Sequence, residues 1–399
     1  MSFPASWIKV KFSQIAKRKS IRTSNPKESK YERYVGLEHL DSGELVVKRW
    51  GSTQDVSSSM KLFNKNDILF ARRNTYLRRV SVAPFEGVCS GDIIVIEPVL
   101  KHIVNGFLPI YMQFEEFENR VVAWSAGAFS KRIKWKQLSD FEVWLPPKEE
   151  QQNIVNMIWS IQVNQEKIEN LIQVAEKLKK GLLEELLTKG IGHSKFKKTQ
   201  LGKIRVDWEL KPFFEIMRIN PESLSNKTSD DYELEYIDIA SISSPNVISR
   251  TEKYRFEDAP SRARRIVRKR DVIISTVRPY LKAFALINED KGNLVCSTGF
   301  AVLRETDSIR AEYIFHFCLS KLFEEQSNMF MSGSNYPALN SDDLKKFLIP
   351  LPTIKEQEEI ICLLEAVDKK LTALYAHCNN LSNLRKKLTN SFLRGEIIL

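Results

Sequence analysis

The residues of this chain best suited to chemistry are arginines and lysines gathered in two runs. Residues 61–82 hold Lys61, Lys65, Arg72, Arg73, Arg78 and Arg79 against a single acid, Asp67. Residues 250–282 hold eleven basic residues against four acids, among them Arg262, Arg264, Arg265, Arg268, Lys269, Arg270, Arg278 and Lys282. A guanidinium fork matches a phosphate, or the major-groove edge of guanine, with two parallel hydrogen bonds, so such runs suit a polyanion and duplex DNA in particular. Asn74, Tyr76, Thr276 and Tyr280 interleave with the cations and have the groups to bond or stack on bases. A loop of small residues, with Ser334, Asn335 and Tyr336 at its centre, has a counterpart in residues 125–132 that ends on Lys131 and Arg132. Small residues let backbone N–H groups approach a phosphate closely. A solvated charged face and an ordinary turn are the bland readings of the same residues.

Catalytic constellations are missing by comparison. The five histidines, His39, His102, His193, His316 and His377, form no H-E-x-x-H or H-x-H pair. No G-x-x-x-x-G-K-[ST] loop provides for a nucleotide triphosphate, and no glycine-rich fingerprint follows a strand. Asn25-Pro26 and Asn220-Pro221 lack the further proline and aromatic of an amino-methyltransferase motif. Cys89 and Cys296 read as small buried apolar residues, with no base in view to activate them. Neither catalytic nor metal-binding residues are expected.

The composition sets the frame. The chain has 399 residues, 43% hydrophobic and 28% charged, which is ordinary for folded domains and implies two or three of them. The net charge of +11 is lopsided, +10 over residues 1–200 and +1 over the remainder. Five dispersed cysteines without a C-x-x-C pair suit reduced thiols better than a disulfide framework. The uncharged, largely apolar stretch at residues 102–114 is broken by Gly106 and Pro109 and too short to span a bilayer. A cytoplasmic location away from membranes is expected.

The elements that must position the basic runs emerge from an internal repeat. At an offset of 206 residues the chain aligns with itself without a gap for about 50 positions. Leu145-Pro146 matches Leu351-Pro352, Glu150-Gln151 matches Glu356-Gln357, and Leu187 matches Leu393. A looser echo precedes it: Tyr76-Leu77 matches Tyr280-Leu281, Val88-Cys89-Ser90 matches Val295-Cys296-Ser297, and Trp7 pairs with Trp208. The arginine-rich runs fall at matching places in the two copies.

Each well-matched block reads as a long helix. Ile154, Ile161, Ile168 and Leu182 recur at heptad spacing, with Ile158 and Ile172 on the companion line. Ile360, Val367, Leu374, Leu381 and Leu388 do the same in the second copy, beside Leu364 and Leu371. Sustained heptads predict a coiled coil. Polar Gln165, Lys179 and Arg385 on these lines suit a thin seam better than a deep core. The two helices are each other's natural partner, and a two-fold relation between the copies makes them antiparallel. Some 38 residues make a rod about 55 Å long.

The predicted fold is therefore α+β, with a pseudo-two-fold internal repeat. Strand-rich domains at 1–145 and 193–351 alternate with long helices at 146–192 and 352–399. Runs such as Ile93-Ile94-Val95-Ile96 and Val272-Ile273-Ile274 supply the strands.

These residues also resemble a known family. Leu145-Pro146-Pro147-Lys148-Glu149-Glu150-Gln151-Gln152-Asn153-Ile154, and its echo from Leu351-Pro352-Thr353 to Ile360, resemble the signature of type I restriction–modification specificity (S) subunits. The stretch from Leu178-Lys179-Lys180-Gly181 through Thr188-Lys189-Gly190-Ile191-Gly192-His193, then Leu201-Gly202-Lys203-Ile204, is similar to that family's central conserved region. Thr353 in place of a second proline, and Lys387 opposite Gly181, are small departures. The resemblance implies two target recognition domains on an antiparallel helical spacer, each reading half of a bipartite, asymmetric site in double-stranded DNA. It implies two methyltransferase subunits docked on the helices, with S-adenosylmethionine, and two restriction subunits using ATP and Mg2+. This chain would hold no cofactor and no catalytic residue. A scaffold for acidic protein clients and a stand-alone enzyme are the competing readings.

Overall fold

A computed structural model describes residues 3–127, 130–192, 194–289, 291–331 and 337–398. Two long helices stand out, Lys148–Lys189 and Ile354–Leu393, and each begins within two residues of a proline that follows a strand. The chain divides into two compact units, residues 1–170 with 374–399, and residues 171–373. The division cuts through both helices, so each unit takes the start of one helix and the end of the other. The boundaries expected from sequence set helices apart from domains, whereas the packing joins them.

In the first unit, Ile154, Val155 and Ile158 near the start of the first helix share a core with Phe392 and Leu393 at the end of the second. Farther along, Cys378 Sγ lies 3.9 Å from Glu169 Oε1. In the second unit, Leu183, Leu186 and Leu187 share a core with Ile360, Ile361 and Leu364, and Lys179 pairs with Asp368. As one helix advances its partner residues recede, so the helices pair antiparallel within each unit. Ile161, Ile172, Leu371 and Leu374 are buried on these lines, while Ile168, Leu182, Val367, Leu381 and Leu388 are half-buried. At the end of the first helix the buried stripe moves from Leu182 to Leu183 and Leu187. There the partner surface is a domain core in addition to a second helix, and a wider stripe is covered. The polar seam residues find partners. Gln165 donates to Glu169 at 3.1 Å, and Arg385, 4% exposed, donates to the Gly43 carbonyl at 2.5 Å.

Among the described residues, the globular part of the first unit is built on a four-stranded and a five-stranded sheet, beside one two-stranded pair. Ile68–Ala71 lies between Ile93–Pro98 and Val80–Val82 in a four-stranded sheet, with Ala16–Lys19 on its outer edge. A five-stranded sheet contains the parallel pair Arg33–Val35 and Gly87–Cys89. The second unit repeats this plan. Val272–Ser275 lies between Phe300–Arg304 and Phe284–Leu286 in one sheet, and Glu233–Ile237 runs parallel to Leu294–Ser297 in the other. The central strands are buried on both faces, which is why they read as unbroken apolar runs. An N-terminal strand closes each unit against the strand that leads into its helix, Ile8–Lys11 on Glu142–Leu145 and Glu209–Pro212 on Leu348–Leu351. The hairpin Phe196–Thr199 with Gly202–Arg205 has no equivalent among the described strands of the first copy. Among the described residues, no helix is long and apolar enough to cross a membrane.

Candidate nucleic-acid interface

The predicted basic residues surround one recurring piece of backbone. In the first copy the central strand Ile68–Ala71 leaves its sheet through Arg72, Arg73 and Asn74. It makes a single 3-10 turn over Thr75–Leu77, then re-enters through Arg78 and Arg79 as Val80–Val82. Asn74 and Arg78, on either side of the turn, adopt left-handed conformations with φ of 53° and 49°. In the second copy Val272–Ser275 leads to a 3-10 turn over Pro279–Leu281, flanked by left-handed Arg278 (φ 50°) and Lys282 (φ 52°). Side-chain-bearing residues held in that region cost on the order of 1–3 kcal/mol each, and persist where surrounding contacts impose them.

Those contacts recur as well. The Asn74 N–H donates to the Lys131 carbonyl at 2.8 Å, and the Ile133 N–H donates to the Arg72 carbonyl at 3.0 Å. In the second copy the Arg278 N–H donates to the Pro337 carbonyl at 2.9 Å, and the Leu339 N–H to the Thr276 carbonyl at 2.8 Å. Each knuckle is thus tied to the same downstream segment, residues 131–133 in one copy and 337–339 in the other. An ion pair holds the other side. Arg78 meets Glu118 at 3.3 Å and Lys282 meets Glu324 at 3.3 Å, with both acids on helices packed beside the knuckle. Burial pushes the Glu118 carboxyl up to about 7, outweighing the opposing pull of the Arg78 guanidinium.

Around the first knuckle the structure brings Arg72, Arg73, Asn74, Tyr76, Lys131 and Arg132 together. Arg73 donates to Ser130 Oγ at 2.8 Å, and Arg73 and Arg132 each lie 3.4 Å from Asp92. Lys131 and Arg132 are exposed, and Tyr76 is 58% exposed at the tip. Arg78 and Arg79 turn inward, Arg78 also reaching Asn119 at 2.7 Å and Arg79 the Leu37 carbonyl at 2.6 Å.

The second run is split by the fold. Arg262 is exposed ahead of the edge strand Ala263–Ile266, and Arg264 stacks over Phe256 at 4.7 Å. Arg265 instead donates to Asn220 Oδ1 at 2.6 Å and to the Phe300 carbonyl. Arg268 holds Glu222, which also accepts from Arg304; these two arginines keep the Glu222 carboxyl down at about 2. Arg270 bridges Glu305 and Glu312. Tyr280 is 48% exposed at the knuckle tip, and Lys282 also donates to the Leu319 carbonyl at 3.1 Å. Ser334, Asn335 and Tyr336 lie outside the described residues. A charge count cannot see the carboxylates and carbonyls that come from distant strands to occupy these cations.

Sequence reasoning missed several participants. Leu77 and Leu281 are exposed beside the tip tyrosines, and the repeat alignment that pairs Tyr76-Leu77 with Tyr280-Leu281 was the available signal. Arg33 is sandwiched between Trp50 and Phe85 at 4.8 and 4.6 Å, but an isolated arginine gives no cluster to notice. Cys89 and Cys296 lie buried at equivalent strand positions, where burial pushes each thiol up to about 12. Among the described residues, no group of three or more His, Cys, Asp or Glu side chains is placed to hold a metal ion.

The type I restriction modification DNA specificity domain matches this chain twice, at residues 7–180 and 205–381, one match for each repeat. The chain belongs to this specificity-domain family. The MjaVIII type I restriction enzyme specificity subunit of Methanocaldococcus jannaschii is 22% identical over 375 residues, covering 92% of this chain and 86% of the relative. The MjaX counterpart, a putative specificity subunit from the same organism, is 25% identical over 385 residues, covering 90% and 86%. Two solved chains share the fold. One comes from a study of complex assembly and conformational transition of the type I R-M system, with TM-score 0.59, 19% identity and full coverage of both chains. The other is the S subunit of a type I restriction–modification system from M. genitalium, with TM-score 0.57, 16% identity, and coverage of 97% and 96%. Within this specificity-domain chain the two family matches each contain one complete knuckle.

Proposed function

We propose that this chain is the sequence-reading subunit of a type I restriction–modification complex. Each unit reads one half of a bipartite, asymmetric site in double-stranded DNA. The two long helices set the spacing of the halves and dock two methyltransferase subunits. Two restriction subunits complete the assembly. Chemistry belongs to those partners, which carry S-adenosylmethionine, ATP and Mg2+, and none of it to this chain. The observation that carries this reading is the duplicated knuckle: one backbone device, present twice, surrounded by different side chains in the two copies. Identical readers suit a palindrome, whereas unlike readers suit two different half-sites.

Arg72, Arg73, Asn74, Tyr76, Lys131 and Arg132 form the proposed DNA-facing set of the first unit. Arg262, Arg264, Arg278 and Tyr280 form that of the second, and Ser334, Asn335 and Tyr336, which lie outside the described residues, are proposed to join it. Arg78, Arg79, Arg265 and Lys282 support the surface from below, their charged groups engaged and partly covered within the domain, while Arg268 is exposed in its pairing with Glu222. Affinity carried by phosphate contacts falls steeply with salt.

The test is methylation mapping of genomic DNA after co-expression of the chain with its modification subunit. One split motif with unlike halves is expected, vanishing when this chain is left out. Methylation at a single undivided motif, or unchanged methylation without the chain, overturns the reading.

A further inference from the structure

Each knuckle tip carries an exposed apolar pair. Tyr76 is 58% and Leu77 38% exposed; Tyr280 is 48% and Leu281 62% exposed. The preceding residue is buried in both copies, Thr75 in one and Pro279 in the other, so the turn is anchored at its base and open at its point. A single exposed leucine on a surface means little. Here the same Tyr-Leu pair recurs at the same point of two otherwise divergent domains, on backbone held left-handed at both ends.

The mounting is stiff. Two backbone hydrogen bonds fix one flank of each turn and an ion pair to a neighbouring helix fixes the other. Cations flank the tips: exposed Lys131 and Arg132 belong to the segment tied to the first turn, and Arg278 directly precedes the second, while Arg78 and Lys282 are held in ion pairs within their domains. A rigid apolar point beside exposed cations is more than a solvated loop needs. It fits a polyanion whose interior is apolar, which is the description of stacked bases behind phosphates.

We propose that Leu77 and Leu281 are wedges, each pressing between two neighbouring base pairs of its half-site while Tyr76 or Tyr280 stacks on the base displaced. The inference rests on the reading above that both units bind duplex DNA. Aliphatic side chains inserted at a base step unstack it and kink the duplex, and the cost falls on flexible or already disrupted steps. The wedge therefore adds selectivity for deformability at a step, beyond direct contact with base edges.

The experiment uses the complex of the full chain with its modification subunits and a duplex carrying the motif found by methylation mapping. Three variants are compared with the unaltered chain: Leu77→Ala, Leu281→Ala, and the conservative Leu77→Met. 2-Aminopurine is placed at successive positions of each half-site. Binding by the unaltered complex is expected to brighten the probe at one step per half-site. Leu77→Ala is expected to abolish that signal in one half only and to weaken binding roughly tenfold. Introducing a mismatch at the same step should restore most of the lost affinity, because the unstacking has been done beforehand. Leu77→Met should keep both signal and affinity. Equal losses on matched and mismatched duplexes, or no probe signal with the unaltered complex bound, overturn the wedge. So does loss of co-purifying modification subunit in either alanine variant, which makes the tip a protein contact. Absence of any bipartite motif in the mapping instead removes the reading on which the wedge rests.

Discussion

Gln151 and Gln357 hold equivalent places in the two copies and make the same three hydrogen bonds. Gln151 Oε1 accepts from the Val104 N–H at 3.0 Å, while Nε2 donates to the carbonyls of His102 at 3.0 Å and Pro146 at 2.9 Å. Gln357 Oε1 accepts from the Arg310 N–H at 2.9 Å, and Nε2 donates to the carbonyls of Ser308 and Pro352, both at 3.0 Å. Both side chains are almost completely buried, at 1% and 0% exposure. Only a primary amide offers one acceptor and two donors in this arrangement. The glutamine of the family signature is therefore a clamp between the first turn of each helix and a loop of its domain.

Replacing either glutamine with alanine strands three buried backbone groups. A loss of about 2–4 kcal/mol is expected for Gln151→Ala and a similar loss for Gln357→Ala. Gln151→Glu should be no better at neutral pH, because a carboxylate cannot donate to two carbonyls. Urea denaturation of each variant checks this, and a near-neutral Gln151→Glu would disprove the donor geometry.

His316 is buried beside Asp368 and Lys179 in the second unit, and its Nδ1 has no hydrogen-bond partner among the described residues. Burial, with a smaller push from Lys179 and a counter-pull from Asp368, lowers its pKa from 6.5 to about 4. Between those values the unfolded chain binds a proton that the folded chain refuses. The stability associated with neutral His316 is thus fully present above pH 6.5 and is lost as pH falls toward 4, by at most about 3 kcal/mol. His316→Gln should flatten that part of a melting-temperature profile relative to the unaltered protein. Profiles that run parallel through this window count against the burial argument.

The five thiols should react in three classes. Cys362 is exposed, Cys378 is partly covered beside Glu169, and Cys89, Cys296 and Cys318 are buried. Burial, then the Glu169 carboxylate, raises the Cys378 pKa and leaves less thiolate to react. A chromogenic disulfide reagent should find one fast thiol, one slower, and three more only after denaturation. Fast reaction of three or more thiols in the folded protein contradicts this packing.

The basic runs should separate by experiment into cations that bind and cations that build. Lys131→Gln and Arg132→Gln are expected to weaken DNA binding and to reduce the slope of log K against log salt by about 1 each. Arg268→Gln leaves Glu222 with Arg304 alone, so its first effect should be on stability. Measuring both quantities for each variant decides the matter. A reduced slope with unchanged stability for Arg268→Gln would move that residue to the DNA-facing set.

Much was legible without coordinates because it is local or repetitive. Heptad leucines and isoleucines dictate long helices whatever surrounds them, β-branched runs dictate strands, and the 206-residue offset shows that one plan is used twice. The signature glutamines could be recognised in sequence, but not their work, since Val104 and Arg310 lie nearly 50 residues away from them. Which arginines remain outward was equally out of reach. Whether Arg265 meets solvent or the Phe300 carbonyl depends on strand neighbours brought together by folding, and Glu222 reaches Arg268 and Arg304 only across the assembled sheet. The left-handed residues that lift Tyr76 and Tyr280 clear of their domains likewise follow from tertiary restraint. An arginine or lysine enters that backbone region when hydrogen bonds and ion pairs from elsewhere in the chain outweigh its own preference. Residue types and periods therefore determined the parts and their duplication, and long-range packing decided which charges and which apolar tips face outward.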